Sequence, residues 1–321
     1  MNIITDFFWG FEMETLFRPA MLARPGRGSG GTIYEPLSNF EETDRGRFRS
    51  KDDGLVVELY EALEKSLSSD DRTNVIGAFA THQFYFFPKI GVGTTEILEV
   101  DIPDDYGIFC VELPAGVMGN VDQGEHLFPY LLGTARNTAT IGTTAHPYLE
   151  RLDGTRVQGP QGKLLQMQVT VFVRRTANSS GWEDLLFESL NDFNNLRRPE
   201  SIFKLAVSIE LWAQNIIEKY LNTKGLPESI LQVIDRAARN WDQQLEIVSS
   251  LAATLELSAE ENRLSKEATK LFKEKVRSVR NDFSHRIVAD LIDSDVSTAY
   301  LAALPLLWSF EKVAKHLSDI A

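Results

Sequence analysis

Three side chains near residue 280 are of types that suit phosphodiester chemistry. Arg280 supplies a guanidinium that pairs with phosphate oxygens, and His285 supplies an imidazole, a side chain that can give or take a proton. Asn281 follows the arginine directly and stands four residues before the histidine, so in a helix Asn281 and His285 share a face. Together these residues can bind a phosphate and move a proton beside it. The pattern therefore predicts a site for phosphoryl chemistry.

The segment 261–287 that carries these residues is predicted to be an amphipathic helix. Its apolar residues recur at steps of three and four, which is typical of one core-facing stripe. They are Leu264, Ala268, Leu271, Phe272, Val276, Val279 and Phe283. Ser258, followed three residues later by Glu261, has the form of a capping box that starts this helix. The three candidate residues are thus expected near the end of a long helix.

An arginine followed after four to six residues by a histidine, near the end of a long helix in a bundle, resembles the motif of HEPN domains. Arg280, Asn281 and His285 carry the match, and the resemblance covers at most residues 182–321. It implies a helical bundle and a metal-independent endoribonuclease that needs no cofactor. Related proteins of this kind act as bacterial toxins or in abortive infection and other anti-phage defence.

The resemblance also implies a mechanism. The 2′-hydroxyl of RNA attacks the adjacent phosphate and leaves a 2′,3′-cyclic phosphate end. His285 would take or give the proton, Arg280 would stabilise the charge on the phosphate oxygens, and Asn281 would orient the histidine or the phosphate. Because one histidine cannot be acid and base at once, the resemblance implies a homodimer through the C-terminal bundle.

Basic residues are concentrated around the motif. Residues 263–286 contain eight lysines and arginines but only three acidic residues, in a chain of net charge −13. Lys273, Arg277 and Arg286 are the candidate RNA or phosphate contacts among them. The alternative is a solvated helix face with pairs such as Lys270 with Glu274 four residues on. The sequence leaves both readings open.

Composition excludes several classes of protein. The net charge argues against binding nucleic acid over the whole surface, and no apolar run is long enough to span a membrane. Cys110 is the single cysteine and stands in an apolar run, which indicates a buried thiol in a reducing compartment. We therefore expect a cytoplasmic protein.

The sequence of the first half of the chain predicts a mixed, strand-rich domain over residues 1–175. Strands are expected within 2–17, and over 75–79, 82–87, 97–100, 108–113 and 163–175, with helices over 52–67 and around 126–137. The segment 24–31 reads as a glycine-rich loop that lacks the ending of a phosphate-binding loop. The half contains no motif of known chemistry, so we expect it to sense or regulate, with a protein or phage-derived trigger as its partner.

The second half predicts helices only. Residues 176–181 are small and polar and form the expected linker, and residues 182–321 form the HEPN-like bundle. Helices are expected over 182–193, 199–221, 228–255, 261–287 and 296–320, with Pro305 kinking or breaking the last. The fold class is thus α+β, with the strands first.

The sequence is compatible with three functions. The first is a metal-independent endoribonuclease restrained by its N-terminal domain. The second is a catalytically silent HEPN scaffold that binds RNA or a protein. In the third, the N-terminal half acts on a small molecule and the bundle only dimerises it.

Overall fold

A computed structural model of the chain describes residues 16–26, 31–44, 46–69, 71–91, 93–118, 126–145, 164–177, 179–224, 240–285 and 290–320. Within these ranges the protein is an α+β molecule, with strands in the first half and helices in the second, which confirms the predicted fold class. No helix of the described ranges is long and apolar enough to cross a membrane. The strands expected within residues 2–17 lie almost wholly outside the described part.

The strands of the first half are short. They are β1 (Met21–Pro25), β2 (Thr32–Pro36), β3 (Phe40–Asp44), β4 (Arg47–Ser50), β5 (Val56–Glu58), β6 (His82–Phe86), β7 (Lys89–Ile90), β8 (Thr95–Glu99), β9 (Tyr106–Glu112), β10 (Val117–Met118), β11 (His126–Thr134), β12 (Thr138–Ala145), β13 (Leu165–Gln166) and β14 (Val169–Arg175). A 3-10 turn (Leu37–Asn39) and two helices, α1 (Leu59–Leu67) and α2 (Arg72–Gly77), lie between them.

The described strands form antiparallel sheets, in the orders β1-β2, β3-β4-β5, β6-β14-β9, β10-β11-β12-β8 and β13-β7. The central strand β14 separates two hydrophobic cores because its side chains alternate between its faces. Val169, Val171 and Val173 pack in a core with β6, β8, β9, β11 and β12. Phe172 points the other way, into a core shared with the helices.

Six helical segments of the second half are described. They are α3 (Gly181–Asn194), α4 (Arg198–Thr223), α5 (Trp241–Thr254), α6 (Lys266–Phe272), α7 (Ser278–Ser284) and α8 (Asp293–Ile320), and a π-helical segment (Lys273–Arg277) joins α6 to α7. At the start of α3 the Ser180 amide donates to Oε2 of Glu183 at 3.3 Å, and Pro199 lies in the first turn of α4. The last helix continues through Pro305 without a break.

The larger core contains residues from both sides of the expected linker. Phe79 of the strand-rich half contacts Phe17 and also Tyr300 of α8, with ring centroids 5.7 and 5.8 Å apart. Phe17 in turn contacts Trp308 of α8 at 5.9 Å. The division at residues 176–181 stays a prediction, while the side chains on its two sides are packed together.

Two segments of the first half have the opposite secondary structure to the one predicted. Residues 75–79, predicted as a strand, belong mainly to α2, because Asp71 caps a helical turn by accepting a hydrogen bond from the Thr73 amide at 3.0 Å. Residues 126–137, predicted as a helix, form β11, which pairs along its length with β12. Their apolar residues fit either period, and the neighbouring strand decides the outcome.

Several predicted boundaries were also wrong. The helix predicted from residue 52 begins at Leu59, because residues 56–58 pair with β4 as β5. The strand predicted from residue 163 is divided into β13 and β14. The helix predicted over 228–255 begins, in the described part, at Trp241 behind the cap residue Asn240, and residues 225–239 lie outside that part. Of the predicted loop 24–31, Arg24 and Pro25 belong to β1, and 27–30 are not described.

The helix that carries the motif starts later than predicted. Ser258 and Glu261 make the expected reciprocal hydrogen bonds at 3.3 and 3.1 Å, but these bonds close an isolated turn. The helix begins at Lys266, where the Ser265 side chain accepts a hydrogen bond from the Ala268 amide at 3.0 Å.

Candidate active site

The helical segment 266–284, which carries Arg280 and Asn281 and is called the motif segment below, packs antiparallel against α4. The Phe203 ring contacts the Phe283 ring at a centroid distance of 5.3 Å. Seven residues further along α4, about two helical turns, Glu210 contacts Arg280 and Arg277, which precede Phe283. The two helices therefore run antiparallel, and this packing places Glu210 beside Arg280.

Arg280 is a half-buried cation whose guanidinium is held from two sides. Its Nη2 lies 3.3 Å from Oε2 of Glu210, and its Nη1 donates to Oδ1 of Asn281 at 3.1 Å. Its Nε is buried and has no hydrogen-bond partner among the described residues. The structure therefore brings the predicted residues Arg280 and Asn281 into direct contact and adds a carboxylate to them.

Arg277 lies beside Arg280 and shares the same carboxylate. Its Nε lies 3.3 Å from Oε1 of Glu210, and its guanidinium carbon lies 5.5 Å from the ring centroid of Trp241, within range of a cation–π contact. Glu210 therefore bridges the two arginines, one through each carboxylate oxygen. The three groups together carry a net charge of +1 when all are ionised.

Lys273 pairs with a different carboxylate. Its ammonium lies 2.7 Å from Oδ1 of Asp242, at the start of α5. Both side chains are well exposed, so solvent and salt screen the attraction between them. A phosphate contact at Lys273 therefore competes only with a weak surface ion pair.

His285 marks the end of α7. Its amide donates to the carbonyls of Asn281 and Asp282, both at 3.1 Å, and its side chain is exposed. The four-residue step from Asn281 is thus kept by the last helical hydrogen bond, as the sequence predicts. Arg286, the remaining predicted phosphate contact, lies outside the described residues.

The π-helical segment stands directly before the motif. The Ser278 amide donates to the carbonyl of Lys273, five residues earlier, where an α-helix would use the residue four earlier. The wider turn displaces the following residues around the helix axis relative to Phe272. Val276 is buried within this turn, while Leu271, assigned to the apolar stripe by its spacing, is exposed. Segments of this kind are frequent at functional sites.

No group of three or more His, Cys, Asp or Glu side chains in the described ranges is placed to hold a metal ion. The aspartates of the turn near residue 104 are engaged in ion pairs, Asp104 with Arg136 and Asp105 with Arg175, both at 3.1 Å. The motif itself presents two arginines, an amide, a carboxylate and an imidazole.

Sequence reasoning missed two members of the site, Glu210 and Trp241. Glu210 has a recognisable signal, because it is the only acidic residue between Glu200 and Glu218 and stands seven residues after Phe203, on the same helical face. Only the pairing of α4 with α7 shows that this face meets the arginines. Trp241 carries no such signal, since a tryptophan at a helix start is as often a core residue.

Compared with known proteins, the chain matches no family model, no curated protein and no solved structure at a significant level.

Proposed function

We propose that the protein is a metal-independent endoribonuclease of the HEPN type. The observation that carries this proposal is the arrangement of Arg280, fixed by Asn281 and Glu210, near the end of a helix that terminates at the exposed His285. A guanidinium that is positioned before the phosphate arrives stabilises the charge that develops on the phosphate oxygens. An accessible imidazole five residues further along the chain can exchange protons with RNA.

In this mechanism the 2′-oxygen of one nucleotide bonds to the neighbouring phosphorus, and the bond from phosphorus to the 5′-oxygen breaks. His285 either takes the 2′-hydroxyl proton or gives a proton to the leaving 5′-oxygen. Arg280 donates hydrogen bonds to the non-bridging oxygens, and Asn281 keeps the guanidinium in place. The products are a 2′,3′-cyclic phosphate end and a 5′-hydroxyl end.

The active form is a homodimer through the C-terminal bundle. Acid and base must act on opposite sides of the phosphorus, and each chain offers one histidine at the motif. A two-fold axis beside His285 brings a second copy of the same patch into one cleft. Lys273, Arg277 and Arg286 add cationic contacts to the RNA around it.

We assign to the strand-rich half a regulatory role, with a protein or phage-derived trigger as its ligand, and to the whole chain a toxin-like role in anti-phage defence in the cytoplasm. The buried thiol of Cys110 fits a reducing compartment. A nuclease whose core is continuous with a sheet domain provides a physical route from trigger to site.

The test is cleavage of an end-labelled, mixed-sequence single-stranded RNA in EDTA. We expect the wild type to cut, and Arg280→Ala and His285→Ala each to lower the rate about 10²- to 10³-fold. Arg197→Ala, at an exposed position, and His316→Ala, at a half-buried position, are control variants in the same bundle and should keep the rate within about twofold. Equal cleavage by the wild type and both motif variants would remove the proposal.

A catalytically silent scaffold is the second candidate, and the Glu210 bridge is the observation that favours it. A carboxylate that pairs both arginines lowers their attraction for phosphate, as in a purely structural ion-pair network. This candidate predicts RNA or protein binding without cleavage by the wild type, with the same affinity in His285→Ala.

A further inference from the structure

Glu210 limits the charge that the site presents to a phosphate. Its side chain is only 20 % exposed, and each of its oxygens faces one guanidinium, of Arg277 or of Arg280. Without this carboxylate, two cations would stand together on one side of the motif helix with no counter-charge between them. With it, the pair is held together and half neutralised.

The contacts of Glu210 with Arg277 and Arg280 are long enough that another anion can replace the carboxylate. Both nitrogen–oxygen distances are 3.3 Å, whereas strong charge-assisted hydrogen bonds measure about 2.7–2.9 Å. Both arginine side chains keep 24–31 % of their surface exposed, so an anion from solvent reaches them. The carboxylate is therefore a replaceable partner.

The guanidinium of Arg280 also has unused hydrogen-bonding capacity. Of its five N–H groups, one is given to Asn281 and one to Glu210, and the buried Nε–H has no partner among the described residues. A phosphodiester presents two charged oxygens, as a carboxylate does, and makes strong charge-assisted hydrogen bonds with guanidinium groups. A phosphate in place of Glu210 can therefore accept from both arginines, and from N–H groups of Arg280 that Glu210 does not use.

We propose that Glu210 is a positioning residue that a phosphodiester displaces: it holds Arg277 and Arg280 side by side in the free protein and yields both to one phosphate of a bound single-stranded RNA. This inference rests on the proposed function and assigns to it a residue on a different helix. It also assigns Arg277 to the same phosphate as Arg280.

Replacing the carboxylate by an amide tests this displacement. In Glu210→Gln the charge of the three groups rises from +1 to +2, so a phosphate binds more tightly. A residue that serves only stability would not tighten binding when it is changed. We expect RNA affinity to rise about tenfold and the salt dependence of binding to steepen.

Glu218→Gln is the matched control. Glu218 is an exposed glutamate on the same helix, eight residues and about 12 Å further along. At that distance solvent and salt screen its charge from the arginines. The control removes the same net charge from the chain and should change affinity less than about twofold.

The experiment uses two probes on the full-length chain. Inorganic pyrophosphate is titrated while the thermal midpoint is followed, which requires no catalysis. A fluorescent, mixed-sequence single-stranded RNA is titrated by anisotropy in the His285→Ala background, so that it stays intact. We expect Glu210→Gln to bind both probes more tightly than the parent protein. The increase in affinity should disappear when Arg280→Ala is added, and Glu218→Gln should bind both probes with the parent's affinity.

Glu210→Asp is the second variant if the amide variant does not fold. It withdraws the carboxylate by one methylene and should give a smaller gain in the same direction. Unchanged or weaker binding of pyrophosphate by the folded variant would overturn the inference, even if the wild type cleaves RNA. Tighter pyrophosphate binding together with no metal-free cleavage by the wild type would uphold the inference about the phosphate site and remove the nuclease.

Discussion

Glu210 shows how one residue outside a motif changes what the motif can do. Arg280, Asn281 and His285 are readable from the sequence because their types and spacing are local. Whether the arginine is free or paired depends on a glutamate 70 residues away that reaches it only through the packing of α4 on α7. The identity of the candidate residues was thus predictable, and their charge balance was not.

A second residue-scale consequence concerns His82, whose pKa is lowered by burial to about 4, with a smaller contribution from the positive charge of Arg18. Below pH 6.5 the histidine binds a proton in the unfolded chain, whereas the buried imidazole of the folded chain stays neutral until the pH approaches 4. The contribution of His82 to the free energy of unfolding is therefore fully present above pH 6.5 and is lost as the pH falls toward 4. We expect the wild type to lose about 3 kcal/mol more than His82→Gln between pH 7 and pH 4. Denaturant unfolding of both proteins at several pH values measures this difference. Equal losses in the two proteins would show that His82 is protonated in the folded state.

At the scale of elements, the beginning of the motif helix is set by Ser265. Its side chain accepts from the Ala268 amide, while Ser258 closes a turn ahead of the helix. We expect Ser265→Ala to lower the free energy of unfolding by about 1 kcal/mol, because an N-terminal amide of α6 loses its partner.

Ser258→Ala is the comparison for this prediction and should cost less than about 0.5 kcal/mol, because the turn it caps is exposed. Urea unfolding followed by circular dichroism compares the two variants. A larger cost for Ser258→Ala would place the start of the helix at residue 258, as the sequence pattern alone predicts.

The elements differ in how well the sequence predicted them. The helices α3, α4 and α8 were predicted within a few residues because long apolar periods of 3.6 residues leave little choice. Residues 75–79 and 126–137 were assigned wrongly because short apolar runs fit a strand or a helix, and their outcome depends on a cap at Asp71 and on pairing with β12. The π-helical turn before the motif, in which Val276 is buried, has no signal in the sequence.

At the scale of the whole molecule, the sheet half and the helical half share one hydrophobic core. Phe79 is almost fully buried between Phe17 and Tyr300, so its loss should be felt by the helices as well as by the strands. We expect Phe79→Ala to cost about 3–5 kcal/mol and to shift the unfolding of the helical half by the same amount.

Tryptophan fluorescence is the suitable measurement for this coupling, because four of the five tryptophans stand at positions 182, 212, 241 and 308. Phe87→Ala, at an exposed phenylalanine of the sheet half, is the control and should leave the midpoint nearly unchanged. A tryptophan transition that does not move in Phe79→Ala would mean that the helical half unfolds independently of the sheets. Such independence would also weaken the regulatory role assigned to them.

In the mechanism we propose, Arg280 and His285 cleave RNA by using the 2′-hydroxyl of the RNA itself. The most direct measurement compares a single-stranded RNA with DNA of the same sequence, both in EDTA, using the wild type and the double variant Arg280→Ala/His285→Ala. We expect that the wild type cuts only the RNA, that the products carry 2′,3′-cyclic phosphates, and that the double variant cuts neither substrate. Cleavage of the DNA, or cleavage of the RNA by the double variant, would contradict it.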